Sequence, residues 1–259
     1  MKPIYEPRGR AREYSYLALN VMRGCSSQCS YCYVPGASRM SREQWAKIKP
    51  APRKRIIEAL RKQAPEFAGT DRRCLLCFMC DPYQPAAVES GVTRQALEIL
   101  REHDIPWQVL TKHGMRAVGD FDLYGPNDAF ATTLTTAGSE AWTWEPGAAE
   151  PSDRIEAIQR AKKAGIETWV SLEPVMDPDW SLRIIQMTYH VVDLFKIGKL
   201  NHDKVREAEI DWGRFGWEAV ALCDKYGVDY YVKDDLRKHM MDVGQAALRN
   251  TDTRTIIRK

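Results

Sequence analysis

Short apolar runs alternate with amphipathic segments along most of this chain. Runs that are typical of buried strands lie at residues 14–21, 74–80, 107–110, 129–134, 166–172, 191–197 and 228–232. Segments with the apolar spacing of helices lie between them and beyond, at residues 53–63, 92–103, 153–164, 179–188, 212–226 and from 234 onward. Six or seven such alternations predict an α/β fold with parallel strands, curled into a partial or full (β/α) barrel whose helices lie outside.

The two ends of the chain lack this alternation. Residues 1–13 contain two prolines and a glycine without periodicity, so we expect a basic, extended N-terminal arm. The barrel is expected to span residues 14–248, and residues 249–259 are expected to form a loose basic tail. Residues 1–12 and 249–259 each carry a net charge of +3, and the part between them therefore carries −3. Such basic ends either contact a polyanion such as nucleic acid or are simply solvated.

Composition narrows the class of protein. The 259 residues are 44% apolar and 28% charged, which suits one α/β barrel with a sizeable core. No apolar run approaches the roughly 18 residues that a membrane span needs, and the first residues have no apolar signal region. We therefore expect a cytoplasmic protein without a membrane partner. Its seven cysteines then indicate a reducing compartment, in which thiols bind metal rather than form disulfides.

Three of the cysteines lie close together just after the first predicted strand. Cys25, Cys29 and Cys32 have the spacing Cys-x3-Cys-x2-Cys, and the aromatic Tyr33 follows directly. An odd number of thiols leaves one over if two form a disulfide, whereas three thiolates can ligate three irons of a [4Fe–4S] cube. The fourth iron then stays open to a small molecule. Zinc is the alternative metal, but it usually takes four ligands, and no suitable fourth follows Cys32 closely.

This spacing resembles the cysteine motif of the radical SAM superfamily. The resemblance implies a [4Fe–4S] cluster on these three cysteines, with the open iron chelated by the amine and carboxylate of S-adenosylmethionine (SAM). Other stretches resemble the spore photoproduct lyase-like branch, which includes bacterial and phage members. They are residues 9–14, 19–20, 32–35, 81–85, 111–112, 134–136 and 145–154.

The resemblance also implies a reaction. An enzyme of this kind takes an electron from an external donor of the flavodoxin or ferredoxin type and cleaves SAM to a 5′-deoxyadenosyl radical. The radical abstracts hydrogen from a substrate, and the enzyme is of the isomerase or lyase type. The branch implies a modified or damaged thymine in DNA, which is repaired or, as in phage DNA hypermodification, rearranged. A base in a duplex would have to be flipped out to enter a barrel.

Two other functions stay open at this point. The first is a radical SAM enzyme that acts on a small metabolite or a peptide and turns over without DNA. The second is a non-catalytic Fe–S or zinc protein that binds nucleic acid. The repeated strand–helix alternation disfavours the second, because it predicts an enzyme barrel rather than a small binding module.

Residues at the carboxyl ends of the predicted strands are candidate ligands of SAM, because parallel barrels build their active sites there. The resemblance implies that backbone between Met79 and Asp81 meets the SAM amine. It also implies that Thr135 or Thr136 binds the ribose or the carboxylate, and that Tyr33 belongs to the cofactor site. A threonine that only caps the end of a strand is the alternative for either threonine.

Three further residues at strand ends are candidate catalytic groups. Cys80 could donate a hydrogen atom to a substrate radical, because a thiol S–H bond is weaker than most C–H bonds, or it could pack in the core. Glu173 could bind substrate or accept a proton, or it could pair with a lysine of the barrel. Lys196 could bind a phosphate or make such an ion pair.

A second group of cysteines, Cys74, Cys77 and Cys80, could in principle hold another cluster. Their segment is apolar and predicts a strand, in which successive side chains point to opposite faces. Cys77 would then point away from the other two. The predicted strand therefore disfavours a second cluster.

Overall fold

Residues 2–136 and 140–240 are described by the computed structural model of the chain. The predicted basic tail at 249–259 and the last part of the predicted barrel, 241–248, lie outside the described residues. Among the described helices, none is long and apolar enough to cross a membrane.

The described residues form ten strands and eleven α-helices. The strands are β1 (Ile4–Tyr5), β2 (Leu17–Leu19), β3 (Met22–Arg23), β4 (Ala51–Pro52), β5 (Cys74–Leu76), β6 (Trp107–Thr111), β7 (Ala129–Thr133), β8 (Glu167–Leu172), β9 (Leu194–Ile197) and β10 (Asp229–Val232). The helices are α1 (Val34–Ala37), α2 (Arg42–Ala46), α3 (Ile56–Gln63), α4 (Pro85–Ser90), α5 (Val92–Glu102), α6 (Glu140–Trp144), α7 (Pro151–Lys163), α8 (Pro178–Thr188), α9 (Lys204–Glu209), α10 (Trp212–Tyr226) and α11 (Asp234–Met240). Short 3-10 helices lie at Gly9–Glu13, Ala64–Phe67, Gly114–Leu123 and Tyr189–Val191.

Eight of the strands form one sheet in the order β1-β2-β5-β6-β7-β8-β9-β10. Seven strands of this sheet run parallel: β2, β5, β6, β7, β8, β9 and β10. Strand β1 runs antiparallel to β2 at the edge. This confirms the predicted α/β fold with parallel strands. The edge strands β1 and β10 do not pair with each other among the described strands, so the barrel is a partial one. Strands β3 and β4 form a separate antiparallel pair.

Burial explains why the parallel strands read as continuous apolar runs. All five residues of β7 are buried, because the strand has the barrel interior on one face and helices on the other. The covering helices are amphipathic. Helix α5, for example, buries six of its eleven residues and exposes charged side chains such as Arg101 and Glu102.

The predicted extended arm is not what the N-terminal residues form. Ile4 and Tyr5 pair with β2 as an edge strand, and the backbone of Ile4 exchanges two hydrogen bonds with the side chain of Gln63 (2.9 and 3.0 Å). Gly9–Glu13 is a 3-10 helix. The sequence pattern did not predict either element, because a strand of two residues and a 3-10 helix of five are too short to show a periodic pattern of apolar residues.

The apolar run at 74–80 is a strand only as far as Leu76. Beyond it the backbone N–H groups of Phe78 and Met79 donate to the Asn20 side chain, both at 3.0 Å. A strand needs those groups for its ladder, so the segment leaves the sheet here. The prediction of a strand through Cys80 is therefore wrong, although the first half of the run is correct.

A layer of buried polar groups crosses the barrel interior. Tyr14, predicted to begin the first strand, lies before β2, and its carbonyl oxygen accepts hydrogen bonds from Gln108 (2.8 Å) and Lys196 (2.9 Å). The Lys196 ammonium also lies 4.3 Å from the ring centre of Trp169. Burial, together with the charges of nearby Lys233 and Arg73, lowers the pKa of Lys196 to about 7.

Lys196 should make stability depend on pH. Its pKa is about 7 in the folded chain and near 10.5 ordinarily, so between these values the unfolded chain binds a proton that the folded chain has lost. The free energy of unfolding should therefore rise with pH across this window and level off below pH 7, where Lys196 is protonated in both states. We expect Lys196→Met to lack this rise, measured by denaturant unfolding from pH 7 to 10. Parallel pH profiles for the two proteins would contradict the assignment.

The amino ends of three strands are tied together by Arg73, which directly precedes β5. Its guanidinium pairs with the carboxylate of Glu167 in β8 through two hydrogen bonds (2.7 and 2.6 Å). Its Nε donates to the carbonyl of Asn127, two residues before β7, at 2.6 Å. Arg73 is almost fully buried, with 6% of its side chain exposed. Removing one member of such a pair leaves a charge without compensation.

We expect Arg73→Met to lower the free energy of unfolding by about 3–5 kcal/mol. The matched control is Arg61→Met, which breaks an exposed ion pair with Glu102 (3.3 Å) and should cost less than about 1 kcal/mol. Chemical denaturation of both variants measures the difference. Equal losses would show that the buried pair does not hold the strands together.

Candidate functional site

The carboxyl ends of the parallel strands surround a cavity of about 360 Å³. Residues that follow β5, β6, β8, β9 and β10 line it, as the strand-end rule predicts. Cys25, Cys29 and Cys32 line the same cavity, and all three are free thiols. The fold therefore brings the predicted cluster ligands to the mouth of the barrel.

The cysteine loop, residues 24–33, is held on one side by the buried side chain of Gln84. Its Oε1 accepts from the backbone N–H of Ser26 (2.8 Å), and its Nε2 donates to the carbonyl of Gly24 (3.1 Å). Gly24 has a φ of +75°, a left-handed conformation that favours glycine. A single buried amide thus fixes the start of the loop.

The other side of the loop packs on the segment from α6 to α7. The N–H of Ser30 donates to the carbonyl of Trp144 (2.9 Å), and the N–H of Gly147 donates to the carbonyl of Ser27 (3.0 Å). A Cβ atom at Gly147 would lie 2.1 Å from the carbonyl oxygen of Ser26. Only glycine permits this close approach.

A buried ion pair stands behind this contact. Arg154 and Glu145, each with 1% of its side chain exposed, are 2.5 Å apart. Tyr31 of the cysteine loop donates to Glu145, as does the hydroxyl of Thr135 (3.1 Å). Burial raises the pKa of Glu145, but Arg154 and Lys112 outweigh it, and the pKa lies below its ordinary value. Glu145 is therefore an ionised carboxylate that anchors Tyr31.

The three thiols suit a [4Fe–4S] cube. Burial raises the pKa of Cys25 to about 11 and that of Cys29 to about 12, so without metal both are protonated at neutral pH, and iron would displace the protons. Among the described residues, no three side chains of His, Cys, Asp or Glu converge on a position where they could hold a single metal ion. A cube differs in that each thiolate binds a separate iron.

Lys112, which follows β6, supplies positive charge to the cysteine loop. It lines the cavity, and its ammonium lies 5.7 Å from the ring centre of Tyr31. Burial lowers the pKa of Lys112, but Cys29 and Glu145 outweigh that effect and raise it above its ordinary value. The side chain is thus a cation that offsets the negative charge of bound thiolates.

Three of the predicted cofactor residues line the cavity: Tyr33, Met79 and Asp81. The Tyr33 hydroxyl donates to the carbonyl of Phe78 (2.7 Å), which ties the end of the cysteine loop to the segment after β5. The N–H of Met79 is already bonded to Asn20 (3.0 Å). A contact of the backbone between Met79 and Asp81 with SAM would have to use groups other than this N–H, and it stays a prediction.

The Asp81 carboxylate organises the loops after β5 and β6. It accepts hydrogen bonds from the Thr111 hydroxyl (2.6 Å), the N–H of Lys112 (2.7 Å) and the N–H of Tyr83 (2.9 Å). Three donors leave little capacity for a ligand. The arrangement favours a positioning role for this carboxylate over direct binding of SAM.

The two predicted threonines lie outside the cavity wall. Thr135 and Thr136 are both buried, and neither is among the described residues that line the cavity. Thr135 donates to Glu145 and so supports the ion pair behind the cysteine loop. The Thr136 hydroxyl has no hydrogen-bond partner among the described residues. Their contact with SAM stays a prediction that this placement does not favour.

Cys80 lines the cavity together with Cys77. The interaction with the Cys77 side chain and burial raise the pKa of Cys80, so it remains a protonated thiol. The predicted separation of these two cysteines on opposite faces is wrong, because the chain leaves the strand at Leu76. Cys74 stays buried within β5, away from the pair.

Glu173 lines the cavity and makes an ion pair with Lys233, which confirms the lysine-pair alternative. The Tyr14 hydroxyl also donates to Glu173 (2.7 Å), and the Asn201 amide lies 3.5 Å from it. Lys196, by contrast, does not line the cavity among its described wall residues. It hydrogen-bonds the backbone of Tyr14 instead, so a direct role in binding phosphate stays a prediction without support from this placement.

Sequence reasoning missed several residues of the site, namely Tyr14, Gln84, Glu145, Arg154 and Lys233. Lys233 directly follows the predicted strand at 228–232, so the strand-end rule could have found it. The other four lie within stretches that resemble the spore photoproduct lyase-like branch, but the resemblance gave them no individual role.

Comparison with known proteins agrees with this geometry. Residues 19–192, about two thirds of the chain, match the family described as the Radical SAM superfamily. An alanine mutant of spore photoproduct lyase has a similar structure, with a TM-score of 0.67, 12% identity and coverage of 88% of this chain and 78% of that one. A double mutant of the same lyase, with bound AdoMet and dinucleoside spore photoproduct, has a TM-score of 0.63 and 15% identity. The match covers 88% of this chain and 78% of that one.

Two further proteins are similar over a smaller share of their own length. The SuiB protein of Streptococcus suis, bound to S-adenosylmethionine, has a TM-score of 0.63 and 9% identity over 88% of this chain and 53% of that one. An uncharacterized protein of Acidianus two-tailed virus is 25% identical over 175 residues, which are 62% of this chain. The aligned part spans only 56% of that viral protein.

At identities of 9–15% the solved structures establish the fold alone. The family match goes further, because it covers the cysteine loop and strands β5 to β8. The family implies a [4Fe–4S] cluster and SAM as cofactors, and the three thiols at the cavity fit the cluster. On this ground the chain belongs to the radical SAM superfamily.

Proposed function

We propose that this chain is a radical SAM enzyme of the isomerase or lyase type and that its substrate is a modified or damaged thymine in DNA. The observation that carries the proposal is the shared cavity, which holds three cluster thiols, a thiol pair and a polar wall. When bound, the cluster and SAM would supply a 5′-deoxyadenosyl radical that takes a hydrogen atom from the substrate. The protein itself would bind and orient the substrate and shield the radical.

The cysteine loop is held in a prepared position. Gln84 fixes its start, and Glu145 with Arg154 fixes its centre through Tyr31. Lys112 offsets the negative charge of the thiolates. Such preorganisation keeps the reactive atoms aligned without further cost during the reaction.

The wall formed by Glu173, Lys233 and Asn201 suits a pyrimidine substrate. A thymine ring presents two carbonyl acceptors and one N–H donor, and this wall offers ammonium and amide donors beside a carboxylate acceptor. Spore photoproduct lyase, which has the same fold, has been solved with a dinucleoside spore photoproduct. These two facts together support thymine, and the base would reach the cavity by flipping out of the duplex.

Cys80 is proposed as the group that returns hydrogen to the substrate. Its protonated thiol would give a hydrogen atom to a carbon radical, so that a C–H bond forms and a thiyl radical remains on sulfur. Cys77 lines the same cavity. We also propose a flavodoxin- or ferredoxin-type electron donor and a cytoplasmic location, where reducing conditions keep the free thiols reduced.

SAM cleavage that depends on the substrate tests the proposal. The protein is reconstituted anaerobically with iron and sulfide, reduced with dithionite, and given SAM with thymine-modified DNA, unmodified DNA or none. We expect 5′-deoxyadenosine, followed by chromatography, to form slowly alone and faster with the modified DNA. Cleavage that is indifferent to DNA would favour a small-molecule or peptide substrate. No cleavage from protein with full iron and sulfide would contradict the radical reaction and leave a binding protein.

Single cysteine variants test the cluster ligands. We expect Cys29→Ala to lose most of its bound iron and all detectable 5′-deoxyadenosine, because one iron of the cube has lost its thiolate. Cys223→Ala is the matched control, since Cys223 is equally buried but lies in α10. It should keep both iron and activity, at a stability cost on the order of 1 kcal/mol. Full iron content in the Cys29 variant would rule it out as a ligand.

A further inference from the structure

A dense run of basic residues follows the cysteine loop. Residues 39–55 contain seven basic side chains and a single acidic one, Glu43. The basic residues are Arg39, Arg42, Lys47, Lys49, Arg53, Lys54 and Arg55. The segment therefore carries +6, while the whole chain carries +3, so the remaining residues together carry −3. These seventeen positions carry as much net positive charge as the two termini together.

These charges are exposed and largely uncompensated. Six of the seven side chains are exposed, and Arg53 is half-buried. Within the described part of the chain only Arg55 forms an ion pair, with Glu58 at 2.8 Å. By comparison, the surface residue Arg94, which lies outside this run, forms ion pairs with three carboxylates. Repulsion within the run costs free energy that a bound anion would relieve.

The run is fixed in place against the site. Trp45 is buried beneath it, and Ile48 packs directly on Gly24, at the start of the cysteine loop. The pairing of β4 with β3 sets exposed Arg23 opposite Ala51. We call residues 39–55 together with Arg23 the basic patch. Its charges are presented on a defined surface rather than on a free loop.

The patch reaches the rim of the cavity. Arg42 donates to the carbonyl groups of Cys29 (3.4 Å) and Cys32 (3.3 Å), so its guanidinium sits on the outside of the cysteine loop. Tyr33 lines the cavity and is 49% exposed, and Met40 nearby is 41% exposed. Positive charge and exposed apolar surface thus lie together beside the opening.

The N-terminal residues are a weaker candidate for contact with a polyanion. Arg10 makes an ion pair with Asp235, and Arg12 lies 3.9 Å from Glu6. Their charges are therefore partly used within the protein. The C-terminal basic residues lie outside the described part of the chain, so the basic patch is the surface that the structure supports.

We propose that the basic patch is the surface on which the sugar–phosphate backbone of a nucleic acid docks. Lysine and arginine contacts to phosphate fix the position of a strand without reading its sequence. A strand held there would pass the rim at Tyr33, where an extruded base could enter the cavity. The inference rests on the proposed function, which has a base in a nucleic acid as the substrate. Binding of the nucleic acid to the patch does not itself depend on SAM cleavage.

Neutralising three lysines of the patch tests the inference. The variant Lys47→Gln, Lys49→Gln, Lys54→Gln is reconstituted with iron and sulfide, and its affinity for a fluorescein-labelled DNA duplex is measured by anisotropy between about 50 and 200 mM salt. We expect affinity to fall by roughly two orders of magnitude at about 0.1 M salt. The slope of log affinity against log salt should become shallower by about two to three.

The matched control removes the same charge elsewhere. Lys163→Gln, Arg183→Gln, Lys225→Gln neutralises three exposed residues on α7, α8 and α10. It should keep nearly the wild-type affinity and salt slope. Equal losses in both triple variants would overturn the inference, because net charge alone would then explain binding. Wild-type protein that binds phosphatidylglycerol vesicles but not DNA would also overturn it.

The same samples separate this inference from the proposed function. Iron content and circular dichroism confirm that each variant is folded, and SAM cleavage is measured without nucleic acid. Selective loss of DNA binding in the patch variant supports the docking surface even if no protein cleaves SAM. Cleavage that modified DNA stimulates equally in wild type and patch variant would support the function and overturn the docking surface.

Discussion

The buried pair of Glu145 and Arg154 is the interaction on which the site depends. Two charges removed from water are costly, and here the cost is offset by short contacts and additional donors: Tyr31 and Thr135 on the carboxylate, and the carbonyl groups of Thr133 and Ala149 on the guanidinium. Through Tyr31 the pair holds the cysteine loop against the end of β7 and the start of α7. The predicted cluster ligands are therefore positioned by the barrel rather than by the loop itself.

A second constraint divides the barrel interior. Tyr14 bonds Lys196 and Gln108 through its backbone on one side and Glu173 through its hydroxyl on the other. Glu173 in turn pairs with Lys233. Polar groups inside a barrel must be satisfied, and this network satisfies them while it separates the cavity from the packed layer that contains Lys196. It explains why two lysines at the ends of neighbouring strands have different surroundings.

Buried and exposed positive charges differ in how far nearby groups compensate them. Inside the barrel the buried cations Arg154, Lys196 and Lys233 each have a carboxylate or a backbone carbonyl nearby, whereas on the surface the basic patch presents exposed charges with few partners. Compensation inside limits the cost of burial. Lack of compensation outside leaves the surface free to attract a polyanion, and attraction of this kind acts on encounter rates as well as affinity.

The sequence by itself determined the architecture and the candidate ligands of the cluster. Strand–helix alternation is a local pattern, so it predicted the parallel sheet, and the spacing of Cys25, Cys29 and Cys32 indicated the family before any contact was known. Only the tertiary structure decided the rest. It ended the second apolar run at Leu76, which placed Cys77 and Cys80 on the wall of the same cavity, and it joined Glu173 to a lysine sixty residues away. These outcomes depend on the order and curl of the strands, and contacts between residues distant in sequence leave no periodic trace along the chain.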